Sequence, residues 1–586
     1  MNCLQKLLLS KKPALVGDNL YGYLKAATCS NSIHTTALAL QTADKAAAGA
    51  MDDAPNNEPI LDYTSDARSK HRAELEQCLS EMQAKTSDIP IVIDGKEYRT
   101  DQVRQQRIPF EHGHTLAQFY YGSHELIRLA SEVAIKRRKE WEFVAPEQRA
   151  QIFEKAAELV SGKYRFKLNA ATMLGQGKTI KQAEIDSAAE LADFFRFNSY
   201  YLRKLMQWQP RSTKYEKNSL ELRGLDGFVA SISPFNFTAI GGALVNVPAL
   251  MGNCVVWKPS DTAVMSNYLI LQILQEAGLP DGVINFVPCE GLDFGRLITS
   301  SRDLAGVNFT GSLATFQWLW SEIGLNVKRY NTFPRLVGEC GGKNFHLVHP
   351  SAHVDTVVAQ TIRSAFEYSG QKCSACSRLY VPAQMWTSGG VRDRLVEIAQ
   401  NKLKLGPATD LNDTYLSAVI DSAAFKRIST YIQYAQTIGD NEVKVLCGGK
   451  TNDSVGYFVE PTILEVHNPR NLLMTEEIFG PVLSVYVYQE AELSKTMDLI
   501  DENPFALTGA IFAQDEAFIE RAKRKLRMSA GNFYINDKST GAVVGQQPFG
   551  GSRHSGTNDK AGGPFNLLRW TNQQTVKRTI KHMVDI

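Results

Sequence analysis

Between residues 227 and 310, short apolar runs alternate with helical segments, and this alternation limits the chain's fold more than any other feature. The runs at 227–233, 254–258, 284–288 and 306–310 have strand length, and the spans 237–250, 263–277 and 294–299 between them carry helical spacing. Near-continuous apolar strands joined by helices form a parallel sheet covered on both faces. Ligands bind such a sheet at the carboxyl ends of its strands. The uncharged stretch 227–257 has the length of a membrane span, but it holds Pro234, Asn236, Asn246, Pro248 and Asn253. A lipid-exposed helix holds such residues poorly, so strand, turn and buried helix is the better reading.

Three motifs fall at those strand ends. Ser233-Pro234-Phe235-Asn236-Phe237 follows the first strand and Lys258-Pro259-Ser260-Asp261 the second. Phe309-Thr310-Gly311-Ser312 follows the fourth and opens a helix at 313–323. A Gly-Ser pair at a helix amino terminus can receive a phosphate through backbone N–H groups. Taken singly, each motif is ordinary turn chemistry, and no GxGxxG follows the first strand. The GQGKT at 175–179 is not a phosphate loop, because position 172, where the motif needs glycine, is threonine.

A second constellation runs from 335 to 382. Glu339 sits in a glycine-rich turn, residues 345–348 read as a strand, and 351–368 as a helix with Val354, Val357, Val358, Ile362, Ala365 and Phe366 on one face. Cys373 follows another glycine-containing turn. A strand–helix crossover returns both turns to one sheet edge, so a thiol and a carboxylate meet in one cleft. A cysteine there can attack an electrophilic carbon, and a carboxylate can activate water to release the thioester. The plain alternative is a buried, inert cysteine. Cys373 and Cys376 also form a CxxC, which raises a thiol-redox or zinc reading. Structural zinc needs four ligands, and no second CxxC or suitably spaced histidine pair occurs, so no metal is expected. A thioredoxin-like role needs a small βαβ unit around the motif.

ECGGKN at 339–344 and GQKC at 370–373 resemble the two signatures of the aldehyde dehydrogenase superfamily, and FEYSGQKCSACSRLYVP at 366–382 is similar to its glutamate-semialdehyde-oxidising branch. The resemblance runs from about 58 to 570 with the motifs in family order. It implies an α/β fold: a Rossmann-type cofactor domain (58–207 and 225–335), an α/β catalytic domain (336–545) and a β-hairpin oligomerisation arm (208–224 and 565–586). It makes Cys373 the nucleophile and Glu339 the group that activates water. The side-chain amide of Asn236 and the Cys373 N–H become the oxyanion donors. A thiolate is needed, so the site is expected to lower the Cys373 pKa. NAD is the implied cofactor, held by Ser233, Lys258, Gly311, Ser312, Leu313, Ala314, Thr315, Glu477 and Phe479. Lys258 and Glu477 fall on the riboses, Phe479 falls near the nicotinamide, and Asp261 repels a 2′-phosphate. The substrate positions are Ser374, Gly541, Ala542, Phe549, Glu190 and Phe237.

The implied activity is oxidation of L-glutamate 5-semialdehyde to L-glutamate through a cysteine thiohemiacetal and thioester, in proline degradation. Two departures stand out: Phe316, where many relatives have glycine, and Ala542, where most have serine. The second admits a paralogous aldehyde dehydrogenase with shifted substrate preference. Glu339 argues against a CoA-acylating relative, and the intact Cys373, Glu339 and Asn236 argue against a non-catalytic one. In the family the arm pairs with the carboxyl-terminal strand of a partner, here 567–580, which implies a homodimer.

At 586 residues the chain exceeds one ordinary core. Its 44% hydrophobic and 22% charged residues are those of a soluble globular protein, and a net charge of +2 without basic, aromatic-interleaved runs points away from nucleic acid. Nine irregularly spaced cysteines suit a reducing compartment better than a disulfide framework. Residues 1–40 carry four lysines against Asp18, a charge of +3, and resemble a mitochondrial transit peptide despite lacking arginine, which implies a matrix location. Residues 42–57 read as a linker, 89–98 as a hairpin around Asp94-Gly95, and 125–141, 146–163 and 183–202 as helices.

Overall fold

The computed structural model describes residues 53–63 and 69–581, so the transit-peptide expectation for 1–40 and most of the linker lie outside the described residues. The architecture below is that of the unit beginning at Pro55.

Two seven-stranded sheets carry the fold. The first uses β1 (Ile91–Ile93), β2 (Lys96–Tyr98), β3 (Phe228–Ile232), β4 (Val255–Lys258), β5 (Ile284–Phe286), β6 (Leu304–Thr310) and β7 (Arg335–Glu339), in the order β7-β6-β3-β4-β5-β1-β2. The strands β7, β6, β3, β4 and β5 are mutually parallel, and the β1–β2 hairpin adds antiparallel to β5. That hairpin turns on Asp94 and Gly95, both with left-handed backbone (φ 52° and 72°), as a two-residue Asp-Gly turn requires. The strand order reverses at β3, with β4 and β5 on one side and β6 and β7 on the other. The carboxyl ends of β3 and β6 therefore flank a topological switch point, where open α/β sheets bind ligands.

The second sheet uses β8 (Asn344–Val348), β9 (Cys376–Pro382), β10 (Val443–Cys447), β11 (Thr462–Val466), β12 (Val482–Tyr488), β13 (Thr508–Phe512) and β14 (Asn532–Ile535), in the order β10-β11-β12-β9-β8-β13-β14. All its pairings are parallel except β10 with β11. Buried aliphatic and aromatic side chains fill both of its faces. The chain passes from the first sheet to the second between Glu339 and Asn344, so the carboxyl edge of one abuts the amino edge of the other.

The helix predicted over 183–202 begins with a π-helical segment, Glu184–Glu190, before the α-helix Leu191–Gln207. The wider turn brings Asp186 to the amino terminus of the helix Thr238–Leu250, where its carboxylate accepts the amides of Thr238 (2.9 Å) and Ala239 (2.8 Å). Asp186 also pairs with Lys178 at 2.8 Å, and both side chains are buried. Lys178 Nζ lies 3.9 Å from the Phe237 ring centroid and 4.7 Å from that of Tyr368. GQGKT is thus a helix end followed by a structural lysine. Removing one partner of a buried ion pair strands the other, so Lys178→Met should cost about 3–5 kcal/mol of stability. An unchanged urea midpoint would contradict this.

The arm strand Glu216–Arg223 pairs antiparallel with Asn572–Thr579 of the same chain. This corrects the expectation that a second subunit supplies that strand. The cause is local: Trp570 is fully buried and its carbonyl accepts from Asn253 Nδ2 at 2.9 Å, which anchors the chain just where the returning strand begins.

Candidate active site

Glu339 ends β7, and Cys373 lies in the turn that leads into β9. The two glycines after Glu339 let these segments close on each other. A Cβ at Gly341 would collide with the Glu477 carboxylate, and one at Gly342 would lie 2.5 Å from the Cys373 carbonyl oxygen. The Gly342 N–H donates to Glu477 Oε1 at 2.7 Å. Asn344 Nδ2 holds the Cys373 carbonyl (2.6 Å) and the Ala375 carbonyl (2.9 Å), which fixes the nucleophile's turn to β8. Gly370, at φ 66°, allows that turn to pack on the Gly480 carbonyl, so the turn at 478–481 and the cysteine turn are in contact.

Cys373 is partly accessible, whereas Cys376, the first residue of β9, is buried. Asn236 is buried and its side-chain amide donates to the Gln371 carbonyl at 3.2 Å, two residues from Cys373. The N–H groups of Cys373 and Ser374 reach the Cys373 sulfur and favour its thiolate. They do not prevail: burial pushes the thiol up, and the carboxylates of Glu339 and Glu477 add to it. The expected lowering of the Cys373 pKa is therefore corrected, since among the described residues the turn supplies N–H dipoles but no cation beside the sulfur. Glu339 is also held well above the carboxylate range, by burial first and Asp559 second, with Lys560 and the Gly551 N–H opposing. Its Oε2 is buried without a hydrogen-bond partner. The Glu339 carboxylate is thus close enough for its charge to act on the Cys373 thiol.

The strand-end residues cluster at the switch point. Lys258 closes β4 half-buried, with Nζ on the Pro259 carbonyl at 3.2 Å. Asp261 accepts from the Tyr121 hydroxyl, and its second oxygen, Oδ1, is buried without a partner. Ser233 is buried, its hydroxyl accepting from the Trp257 indole at 2.9 Å and its N–H donating to the Lys258 carbonyl at 3.1 Å. Gly311 lies at the end of β6. Ser312 caps the helix Leu313–Asn326 by accepting from the Thr315 N–H, and the outward-facing first turn, Ser312 to Thr315, is an anion-receiving terminus. Phe316 does not intrude there. It turns inward, stacked on Phe309 at 5.4 Å, and fills the space above Gly338 that a Cβ would need. Burial raises Glu477 to about 7, and Phe479 holds φ 55° with its ring edge-on to Phe235 at 5.9 Å. These groups fit a dinucleotide: an orphaned carboxylate oxygen and a lysine at β4, a second carboxylate at the cysteine turn, and a helix amino terminus between them.

Of the substrate positions, Ser374 is buried against Thr540, hydroxyl to hydroxyl at 2.7 Å. Gly541 holds φ 82°, with the Lys538 ammonium beside it; Ala542 follows half-buried, and Phe549 is fixed by paired backbone bonds to Ala561 at 2.8 Å. Glu190 ends the π-helical segment, raised to about 8 by burial, then Asp186, with Lys178 and Lys372 opposing. Phe237 lies under Lys178. The sequence reading missed the charges that join these positions. Lys372 pairs with Glu367 at 3.0 Å and Lys538 approaches the same carboxylate at 3.8 Å; against the upward push of burial they hold Glu367 at about 2. The lysine directly before Cys373 was the available signal.

The family model described as "Aldehyde dehydrogenase family" matches residues 98–576, and the chain belongs to that family. Within it, the chain is 52% identical over 531 residues to the mitochondrial delta-1-pyrroline-5-carboxylate dehydrogenase of Homo sapiens, covering 90% of this chain and 93% of that one. It is 53% identical over 525 residues to the Bos taurus protein of the same name, covering 89% and 92%. Among solved structures it resembles the Mycobacterium tuberculosis delta-pyrroline-5-carboxylate dehydrogenase bound with NAD, with TM-score 0.86, 44% identity and 91% and 97% of the two chains covered.

Proposed function

We propose that the chain oxidises L-glutamate 5-semialdehyde, formed from 1-pyrroline-5-carboxylate, to L-glutamate with NAD, the second step of proline degradation. The observation that carries the reading is the convergence of Cys373, Glu339 and Asn236 on one glycine-lined turn beside the switch point. Support comes also from relatives of that name across nine-tenths of the chain. In this reading Cys373 adds to the aldehyde carbon to give a thiohemiacetal, its proton passing to solvent water. Asn236 Nδ2 and the Cys373 N–H hold the oxyanion. NAD, when bound, supplies the hydride acceptor. Glu339 then takes a proton from water as its oxygen attacks the thioester; the carbon–sulfur bond breaks, the Cys373 sulfur takes that proton back from Glu339, and glutamate is released.

Lys258, Asp261 and Glu477 would hold the riboses, residues Gly311, Ser312, Leu313, Ala314 and Thr315 the pyrophosphate, and Phe479 the nicotinamide end. Asp261 leaves no room for a 2′-phosphate's charge, which favours NAD over NADP. Residues 58–207 and 225–335 act as the cofactor domain, 336–545 as the catalytic domain, and the 208–224 and 565–586 arm as the dimer-forming element. We place the homodimer in the mitochondrial matrix.

Ser374, Gly541, Phe549, Glu190 and Phe237 receive the amino-acid end of the substrate. Ala542 supplies no hydroxyl for its carboxylate. A hydrogen bond to a charged group is worth about 1.5–3 kcal/mol, so Ala542→Ser should lower the KM for glutamate semialdehyde roughly tenfold. An unchanged KM would sink this placement. Ala542 also favours the second reading, a shifted aldehyde preference. The test is NADH formation from glutamate semialdehyde, succinate semialdehyde and a simple aliphatic aldehyde. Preference for the first supports the proposal; activity confined to the others selects the second reading.

A further inference from the structure

Behind Glu339 lies a segment that the mechanism has not used. Residues 555–557 dock along β7 like a short extra strand: the Cys340 N–H donates to the Ser555 carbonyl at 2.9 Å, Gly556 bridges Glu339, and the Thr557 N–H donates to the Gly338 carbonyl at 2.9 Å. The chain then makes a tight corner in which two non-glycine residues, Asn558 and Lys560, hold left-handed backbone at φ 55° and 56°. Such strain persists where the surroundings over-determine it, and it concentrates at functional sites.

The corner delivers one ammonium. Lys560 Nζ donates to the carbonyls of Gly531 (2.7 Å) and Gly550 (3.2 Å) and to Asn532 Oδ1 (3.2 Å). Asn532 Oδ1 in turn accepts the Gly550 N–H at 3.1 Å. The Gly550 carbonyl and the Gly551 N–H belong to one peptide unit, which lies against the Glu339 carboxylate with that N–H favouring its ionised form. A Cβ at Gly550 would sit 3.0 Å from Glu339 Oε1, so only glycine lets this peptide approach so closely. The ammonium therefore sits on the carbonyl side of a peptide whose other side lies against the carboxylate. Polar contacts made in series through a peptide polarise one another.

We propose that Lys560 is a positioning residue for thioester hydrolysis, polarising the Gly550–Gly551 peptide so that the Gly551 N–H holds the Glu339 carboxylate in place as the base. The inference rests on the hydrolytic role given to Glu339 above. The charges that face Glu339 are Lys560, which favours its ionised form, and Asp559, which opposes it. Cys340 and Cys373 are its thiol neighbours. Asp559 is itself drawn off by Arg569 at 3.0 Å and the Thr557 hydroxyl at 2.5 Å, which leaves Lys560 as the group acting through the peptide.

The test is stopped-flow NADH formation by the full chain with NAD and glutamate semialdehyde across pH, for Lys560→Met and Lys560→Arg. In Lys560→Met the first turnover keeps its rate, because thiol addition and oxidation precede hydrolysis. Later turnovers slow roughly tenfold, and the acid limb of turnover moves to higher pH, since losing the cation favours the protonated carboxyl. Lys560→Arg restores most of the rate and the position of the limb. An unmoved acid limb in Lys560→Met overturns the proposal, as does loss of the first turnover, which would mark a structural lysine. If the unsubstituted chain itself forms no first-turnover NADH, the reading of the site falls and takes this inference with it.

Discussion

Replacing Cys373 by alanine removes aldehyde-dependent NADH formation, with an expected loss on the order of 10⁴-fold or more, because no covalent adduct can form. The turn should survive the change. Its position is set by the Asn344 bonds to the Cys373 and Ala375 carbonyls and by the Gly342 contact, none of which uses the sulfur. The variant is therefore expected to fold and to bind dinucleotide. Measured by absorbance at saturating NAD, residual activity within tenfold of the unsubstituted chain would remove Cys373 from the chemistry. Cys376→Ala is the paired control. Cys376 is buried at the start of β9 with its sulfur on the Arg378 carbonyl at 3.5 Å, so its loss should touch stability and leave turnover in place. A redox CxxC would lose activity in both variants.

Glu339→Gln separates the two halves of the reaction. The first equivalent of NADH forms, and turnover then falls by about 10²–10⁴ because no carboxylate takes the proton of the attacking water. Rapid-quench mass spectrometry should find the acyl group on Cys373. The same residue sets the pH dependence. Glu339 is held well above the usual carboxylate range by burial and by Asp559, so its base form is scarce at low pH. Turnover rises as pH climbs through that raised value, and Glu339→Gln flattens the rise. A pH profile identical in the two proteins would assign the base elsewhere. Glu477, raised to about 7, is the other carboxylate within reach of the cysteine turn.

Much of this organisation was legible in the chain. The parallel sheet from 227 to 310 announced itself because buried strands are apolar without interruption, and β3 to β6 fall on the predicted runs. The meeting of Glu339 and Cys373 could be anticipated because one crossover, β8 to β9 through the helix Val354–Phe366, separates them. The hairpin Val103–Ile108 with Glu111–Tyr120 was not seen: VRQQRI and EHGHTLAQFY bury only part of their length and show neither period cleanly. The π-helical turn at Glu184–Glu190 was hidden for another reason. It is recognisable only from the tertiary contact it makes, Asp186 on the amides of Thr238 and Ala239, fifty residues along the chain. The Lys560 chain through Gly550 is likewise invisible in one dimension, because a lysine acting on a peptide leaves no motif.

The arm shows the limit of carrying geometry over by resemblance. The carboxyl-terminal strand was expected to cross to a partner, but register alone cannot say which copy supplies it. Here Trp570 and Asn253 fix it to its own chain. The Cys373 thiol makes a similar point: the chemistry demands a thiolate, yet the protein groups around the sulfur, taken together, favour the neutral form.

The most direct test of the central claim is a product balance. Purified chain is incubated with NAD and 1-pyrroline-5-carboxylate, and NADH and glutamate are quantified in the same samples, with Cys373→Ala alongside. The account predicts NADH and glutamate in equal amounts and neither from the variant. NADH without glutamate, or glutamate that persists in the variant, would contradict it.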